Sequence, residues 1–328
     1  MKHITNFSGL GLSMAVWLAH DEYSNGQDQH PGRNVISATS LLKPVRQLVL
    51  QNRLSPTESV PDVTDMISSS LGNAVHDSVE RAWKTGYRAA MERLGYPKKM
   101  IDKIRINPED SDLGPGIIPV YLEQRFFREI TVDGLKIIIS GKFDQIMDGE
   151  LNDTKSTSVY SYINRSKEED YSIQGSIYRW INPKKVTSEV MRIQHVFTDW
   201  QRSQARISNT YPQNRVLEFT VQLMSLRETE AWIASKIREI ISNQNLPEPE
   251  ITQCSPKDLW MSDPVFKYYT DPAKASEGGR SSKNFPNYPA AAAHLSKVGK
   301  GVIVEVPSEP KACGYCAGFP LCTQKDLY

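Results

Sequence analysis

Asp144, Asp153 and Lys155 stand within "SGKFDQIMDGELNDTKSTS", residues 140–158, and the dipeptide Asp148-Gly149 lies midway between the two aspartates. Two strands joined by a tight Asp-Gly turn bring their facing ends together. Carboxylates brought side by side repel unless a cation lies between them. Oxygen donors of this kind suit Mg²⁺ or Mn²⁺. Lys155 follows Asp153 by two residues, so it leaves its strand on the same face. An ammonium beside such an ion orients a water nucleophile or stabilises charge developing on a phosphoryl group. The set fits phosphodiester hydrolysis. Each aspartate taken alone reads equally well as a turn residue.

Other side chains join the set by position. "GNAVHDSVERAW", residues 72–83, carries His76 on a helical pattern, with Glu80 four residues on and on the same face. Taken alone, His76 reads as a hydrogen-bonded core histidine and Glu80 as an exposed helix charge. Gln174 and Tyr178, in "QGSIY", also fall on one helical face. Glu123 precedes the Asp-Gly hairpin on an apolar, strand-like run.

These residues need elements to hold them. "SATSLLKPVRQLVLQNRL" (37–54) reads as one helix capped by Ser37 or Thr39, with Pro44 in its first turn. "SPTESVPD" breaks it. Met66, Ile67, Leu71, Val75, Val79, Ala82 and Trp83 recur near the helical period and predict a long helix over about 63–94. "IIPVYLEQRFFREI", "LKIIISGKFDQIM" and "GELNDTKST" predict strands, with "TVDG" and "MDGE" as hairpin turns. "SKEEDYSIQGSIYRWINP" predicts a helix stopped by Pro183, "SEVMRIQHVFTDWQ" a strand pairing with "NRVLEFTVQ", and "SLRETEAWIASKIREIISNQ" an amphipathic helix. The chain therefore divides into a helical and loop segment (1–35), a core (36–243) and an irregular C-terminal region (244–328) rich in Pro, Ser, Gly and Lys.

Cys313, Cys316 and Cys322 crowd into that last region, and Cys254 is the one further cysteine. In a reducing compartment such crowding points to metal or cluster ligation rather than disulfides. Four thiolates suit Zn²⁺ and [4Fe-4S] alike; buried free thiols are the third reading. Nearby, Lys267, Lys274, Arg280 and Lys283 interleave with Tyr268, Tyr269, Phe285 and Tyr288. Such a mixture grips phosphates and stacks bases, or forms a solvated loop.

The chain has 328 residues, 39% of them apolar, and a formal net charge of +1. No global basic field exists, so nucleic acid would meet a local patch. No apolar run reaches membrane-spanning length. "GLGLSMAVWLA" reads as a short core helix, with a signal peptide as the alternative. The expected compartment is the cytoplasm of a bacterium or of a phage-infected host. The phosphate-binding pattern G-x-x-x-x-G-K-[ST] does not occur, so any ATP-driven motor would be a partner.

"GKFDQIMDGELNDTKST" resembles the catalytic core of the PD-(D/E)XK nuclease superfamily, with Asp144, Asp153 and Lys155 at the motif positions. "GNAVHDSVERAW" and "QGSIY" are similar to the upstream histidine helix and the Q-x-x-x-Y motif of its RecB-like branch. The likeness spans roughly residues 36–182. It implies an α/β fold: a restriction-endonuclease-like mixed sheet flanked by helices, with a cysteine-stapled tail. It implies His76, Asp144, Asp153 and the Thr154 backbone carbonyl on the metal, Lys155 on the water, and Gln174 and Tyr178 supporting the site or touching DNA. The cysteines resemble those of the branch's iron–sulfur nucleases, of AddAB and CRISPR-adaptation type. In those, however, the lone cysteine precedes the core, whereas Cys254 follows it. The expected activity is Mg²⁺- or Mn²⁺-dependent DNA cleavage by an exonuclease in recombination, repair or phage DNA metabolism. A CRISPR-adaptation nuclease and a non-catalytic DNA-binding protein are the alternatives. DNA, a recombination or single-strand-annealing protein, a helicase and further copies of the chain are the expected partners.

Overall fold

The computed structural model describes residues 4–20, 24–55 and 60–328. Part of the polar loop (21–23) and part of the breaker "SPTESVPD" (56–59) lie outside the described residues. The chain begins with α1 (Leu12–Ala19), β1 (Asn34–Ser37), α2 (Ala38–Leu41), α3 (Val45–Arg53), α4 (Ile67–Arg93) and α5 (Lys98–Ile101). A strand-rich stretch follows: β2 (Ile104–Ile106), β3 (Ile118–Leu122), β4 (Arg125–Val132), β5 (Leu135–Lys142), β6 (Gln145–Met147) and β7 (Glu150–Thr157). Next come α6 (Val159–Ile163), α7 (Glu168–Ile181), β8 (Val190–Phe197), α8 (Arg202–Ile207), β9 (Val216–Gln222) and α9 (Leu226–Asn243). The chain closes with β10 (Val265–Tyr269), α10 (Pro272–Ser276), β11 (Lys283–Phe285), α11 (Tyr288–Val298) and β12 (Val302–Val306).

The residues form two compact units, Met1–Lys43 with Val60–Glu239, and Pro44–Ser59 with Ile240–Tyr328. The first is mixed α/β. Its six-stranded sheet runs β2-β3-β6-β7-β8-β9, and a three-stranded sheet runs β1-β5-β4. Both are mixed, with β2/β3, β7/β8 and β1/β5 parallel and the other pairs antiparallel. Parallel neighbours need a crossover, and α6 and α7 supply it between β7 and β8. Glu168, Glu169 and Asp170 in the first turn of α7 suit the positive end of its dipole. The helix buries Tyr171, Gln174, Ile177, Tyr178, Trp180 and Ile181.

Several local expectations hold. Both Asp-Gly turns adopt paired positive φ: Asp133 and Gly134 at 50° and 83°, Asp148 and Gly149 at 49° and 86°, the twist-matched hairpin conformation. The structure corrects others. Residues 37–54 are two helices, not one. Ser37 caps α2 through the Ser40 amide, and Pro44 stands just before α3 rather than inside a first turn. The long helix turns only part of the expected face inward: Val75, Val79 and Trp83 are half-buried, but Ile67 and Leu71 are exposed, and Ser70 and Met91 are buried. Trp83 and Tyr87 pack with Met91 against Ile101, Ile104, Val120 and Leu122.

The second unit holds α3, β10–β12, α10 and α11, with the last turn of α9. The irregular tail expected from composition is ordered here as an antiparallel sheet, β11-β10-β12. Phe266 and Tyr268 are buried in it. A separate apolar cluster of Val45, Val49, Leu50 and Ile251 anchors α3.

Candidate active site

The site forms where one long hairpin divides between two sheets. β3 pairs with β6 in the larger sheet, and β4 pairs with β5 in the smaller. The two chain segments therefore change partners together, at Glu123–Gln124 and Phe143–Asp144. Glu123 bends the chain in the left-handed region, φ 50°, a conformation that costs a non-glycine residue roughly 1 kcal/mol or more. Its amide donates to the Asp144 carbonyl at 2.9 Å, so the bend ties these two residues to each other.

His76 reaches them from α4. Its Nδ1 lies 3.3 Å from Asp144 Oδ2 and 3.6 Å from Glu123 Oε1. One donor atom from each of His76, Glu123 and Asp144 lies within 4.8 Å of the other two. Asp144 Oδ2 also accepts from the Thr154 amide at 2.8 Å. Lys142 Nζ sits 2.6 Å from Glu123 Oε2. On β7, Lys155 Nζ lies 2.6 Å from Asp153 Oδ2. Lys155 also lies 3.5 Å from Gln174 Oε1, and Gln174 Nε2 donates to the Tyr178 hydroxyl at 2.9 Å. His76, Glu123, Asp144, Asp153, Lys155, Gln174 and Tyr178 line one cavity of about 460 Å³, and Thr154 does not.

Charge in this cavity follows from burial and partners. Burial pulls the His76 imidazole down, but Asp144 and then Glu123 outweigh it, and its pKa ends raised to about 10. Burial pushes Asp144 up, and the His76 hydrogen bond more than reverses this, leaving it low. Asp153 is only 3% exposed, and burial raises it to about 6 against the pull of Lys155. Burial works against the Lys155 charge, yet Asp153 and Asp144 hold its pKa above the ordinary lysine value. The Lys155 ammonium is the partner that balances the buried Asp153 Oδ2.

The sequence placed the hairpin aspartates on a common ion. Of the ligands the resemblance implies, His76 and Asp144 converge, joined by Glu123, while Asp153 faces the lysine. Thr154 adds its amide to Asp144 and its hydroxyl to Gln194 Oε1 at 3.2 Å. Glu80 pairs with Lys84 at 2.6 Å, as a helix-surface charge would. Trp17, Arg125 and Lys142 also line the cavity, and sequence reasoning missed them. No spacing links Trp17 or Arg125 to the motif, and only the chain path brings them in, whereas Lys142 stands two residues before Asp144, inside the motif stretch. An oxygen-rich donor set with one imidazole fits a divalent cation such as Mg²⁺ or Mn²⁺.

In the second unit, Cys254, Cys313, Cys316 and Cys322 line one cavity of about 40 Å³, although no three sulfurs lie within 4.8 Å of one another. None of the four forms a disulfide. Burial, with Asp258 and the neighbouring cysteines, pushes Cys254 up to about 12. Four thiols without a histidine form a soft set that suits zinc or an iron–sulfur cluster. Lys274, Arg280 and Lys283 are exposed, and Lys267 is half-buried on β10. Tyr268 and Tyr269 are buried and Phe285 is half-buried, so of the expected stacking rings only Tyr288 is exposed.

No family model matches the chain, and no curated protein matches it. Among solved structures, the crystal structure of SSO0001 aligns at a TM-score of 0.40 and 17% identity, over 74% of this chain and 90% of that one. Rai1 from Scheffersomyces stipitis aligns at 0.20 and 10% identity, over 83% of this chain and 74% of that one. Likenesses this loose carry no argument about chemistry.

Proposed function

We propose that the chain is a divalent-metal-dependent deoxyribonuclease of the PD-(D/E)XK type, acting as an exonuclease. One observation carries the reading: three ligating side chains converge beside a buried carboxylate–ammonium pair in a single cavity. His76, Glu123 and Asp144 hold the ion. Bound Mg²⁺ or Mn²⁺ supplies Lewis-acid stabilisation of phosphoryl charge and a water of lowered pKa. Lys155 Nζ donates to the attacking water or to a scissile-phosphate oxygen. Asp153 keeps that ammonium charged, and Gln174, held in turn by Tyr178, fixes where it points. The four cysteines hold a [4Fe-4S] cluster; Zn²⁺ is the other occupant such thiols suit. Lys267, Lys274, Arg280 and Lys283 grip the DNA backbone.

Cleavage of end-labelled DNA with Mn²⁺ tests the activity. The unaltered chain should cut, and Lys155→Ala should lose about 100-fold or more in rate while binding the same DNA. Binding without cutting by either protein would leave a DNA-binding module in place of an enzyme.

A further inference from the structure

Arg46 is 3% exposed on α3, among Val45, Val49 and Leu50. Its Nε donates to the Cys322 sulfur at 3.2 Å. Its Nη1 donates to the Glu248 and Ile251 carbonyls at 3.2 and 2.9 Å, and its Nη2 pairs with the Glu248 carboxylate. That carboxylate also takes the Thr323 amide at 2.9 Å and the Thr323 hydroxyl at 2.7 Å. The guanidinium is thus fixed at every nitrogen, with its Nε–H aimed at one of the four thiols. A buried charge is costly, and the unit's folding needs explain only the Nη contacts. The Nε contact has a use if the sulfur carries negative charge. Gln324 fixes the backbone of the distant cysteine: Cys254 N donates to its Oε1 at 2.8 Å, and its Nε2 donates to Cys254 O at 2.9 Å.

We propose that Arg46 is the positioning residue of the thiolate centre, orienting the Cys322 sulfur and stabilising its charge through the Nε–H hydrogen bond. The inference rests on the cysteines holding a metal or cluster. Outer hydrogen bonds to ligands typically change metal affinity 10–100-fold. Lysine keeps the charge but lacks the fork that bonds sulfur, carbonyls and carboxylate together.

The test uses the full chain, purified anaerobically, with iron, acid-labile sulfide and zinc counted per chain. Loss of bound metal to a chelator is then timed. Arg46→Lys should lose metal about tenfold faster or more. Arg53→Gln, on the same helix but bonded among the described residues only to the Gln244 and Leu246 carbonyls, should match the unaltered chain. Folding is checked by circular dichroism. Should Arg46→Lys not fold, Arg46→Gln replaces it: without the guanidinium charge on the Cys322 sulfur, metal loss should quicken at least threefold, and unchanged or slower loss overturns the proposal. A folded Arg46→Lys that holds metal as firmly as the unaltered chain also overturns it. An unaltered chain with neither iron nor zinc overturns the thiolate centre itself, and the Arg46 role with it.

Discussion

His195 registers beside Lys155 on the neighbouring parallel strand. It is 2% exposed, boxed by Tyr162, Tyr171, Phe197 and Phe219 with ring centroids 5.1–5.9 Å away. Neither ring nitrogen has a hydrogen-bond partner among the described residues. Burial first, then the Lys155 charge, pulls its pKa down to about 4. The folded state therefore holds the imidazole neutral where the unfolded chain, titrating near 6.5, would protonate it. Stability is full above about pH 6.5 and falls as pH drops toward 4, because the unfolded state then binds the extra proton. Between pH 7 and pH 5 this amounts to about 2 kcal/mol. His195→Phe should remove most of that drop; equal pH dependence in the two proteins, by urea unfolding at both pH values, would refute it.

Element packing explains the placement of Tyr178. A Cβ on Gly141 of β5 would sit 2.7 Å from Tyr178 Cδ1 and 2.9 Å from Ile181 Cδ1. Glycine there lets α7 settle against the strand and brings the Gln174–Tyr178 pair under Lys155. Gly141→Ala should destabilise by about 1–3 kcal/mol and reduce cleavage through a displaced Tyr178, read from denaturant midpoints and initial rates. Local chemistry made much of this level legible. The Asp-Gly turns, α7 with its acidic start, and the pairing of β8 with β9 follow from turn residues and periodicity. The break at Glu123 did not, because "IIPVYLEQRFFREI" is apolar on both sides of it. Nor did the inward face of α4, since Ile67 and Leu71 look like core by period alone. Arg46 left one faint signal, a charge inside a buried Val-Arg-x-x-Val-Leu pattern.

For the molecule as a whole, a net charge of +1 leaves the proposed DNA affinity to local clusters. Lys274, Arg280 and Lys283 stand exposed on the second unit, Lys283 with its Nζ 5.1 Å from the Phe285 ring centroid. Replacing all three by alanine should weaken DNA binding and lower the salt slope of log K by about 2–3. An unchanged slope in filter binding across salt concentrations would place the DNA elsewhere. Among the described residues no helix is long and apolar enough to cross a membrane.

By itself the sequence determined the candidate site groups and the local elements that carry them: an acid–turn–acid–lysine hairpin, a helix with a histidine, a helix with a glutamine and a tyrosine. Those depend on side-chain chemistry and on backbone preferences a few residues wide. Tertiary structure alone decided which donors converge and which face of α4 looks inward. It also ordered the C-terminal region into a sheet. β1 pairs with β5 about a hundred residues away, and such pairings are settled by burial across the whole chain, which no short window of sequence contains.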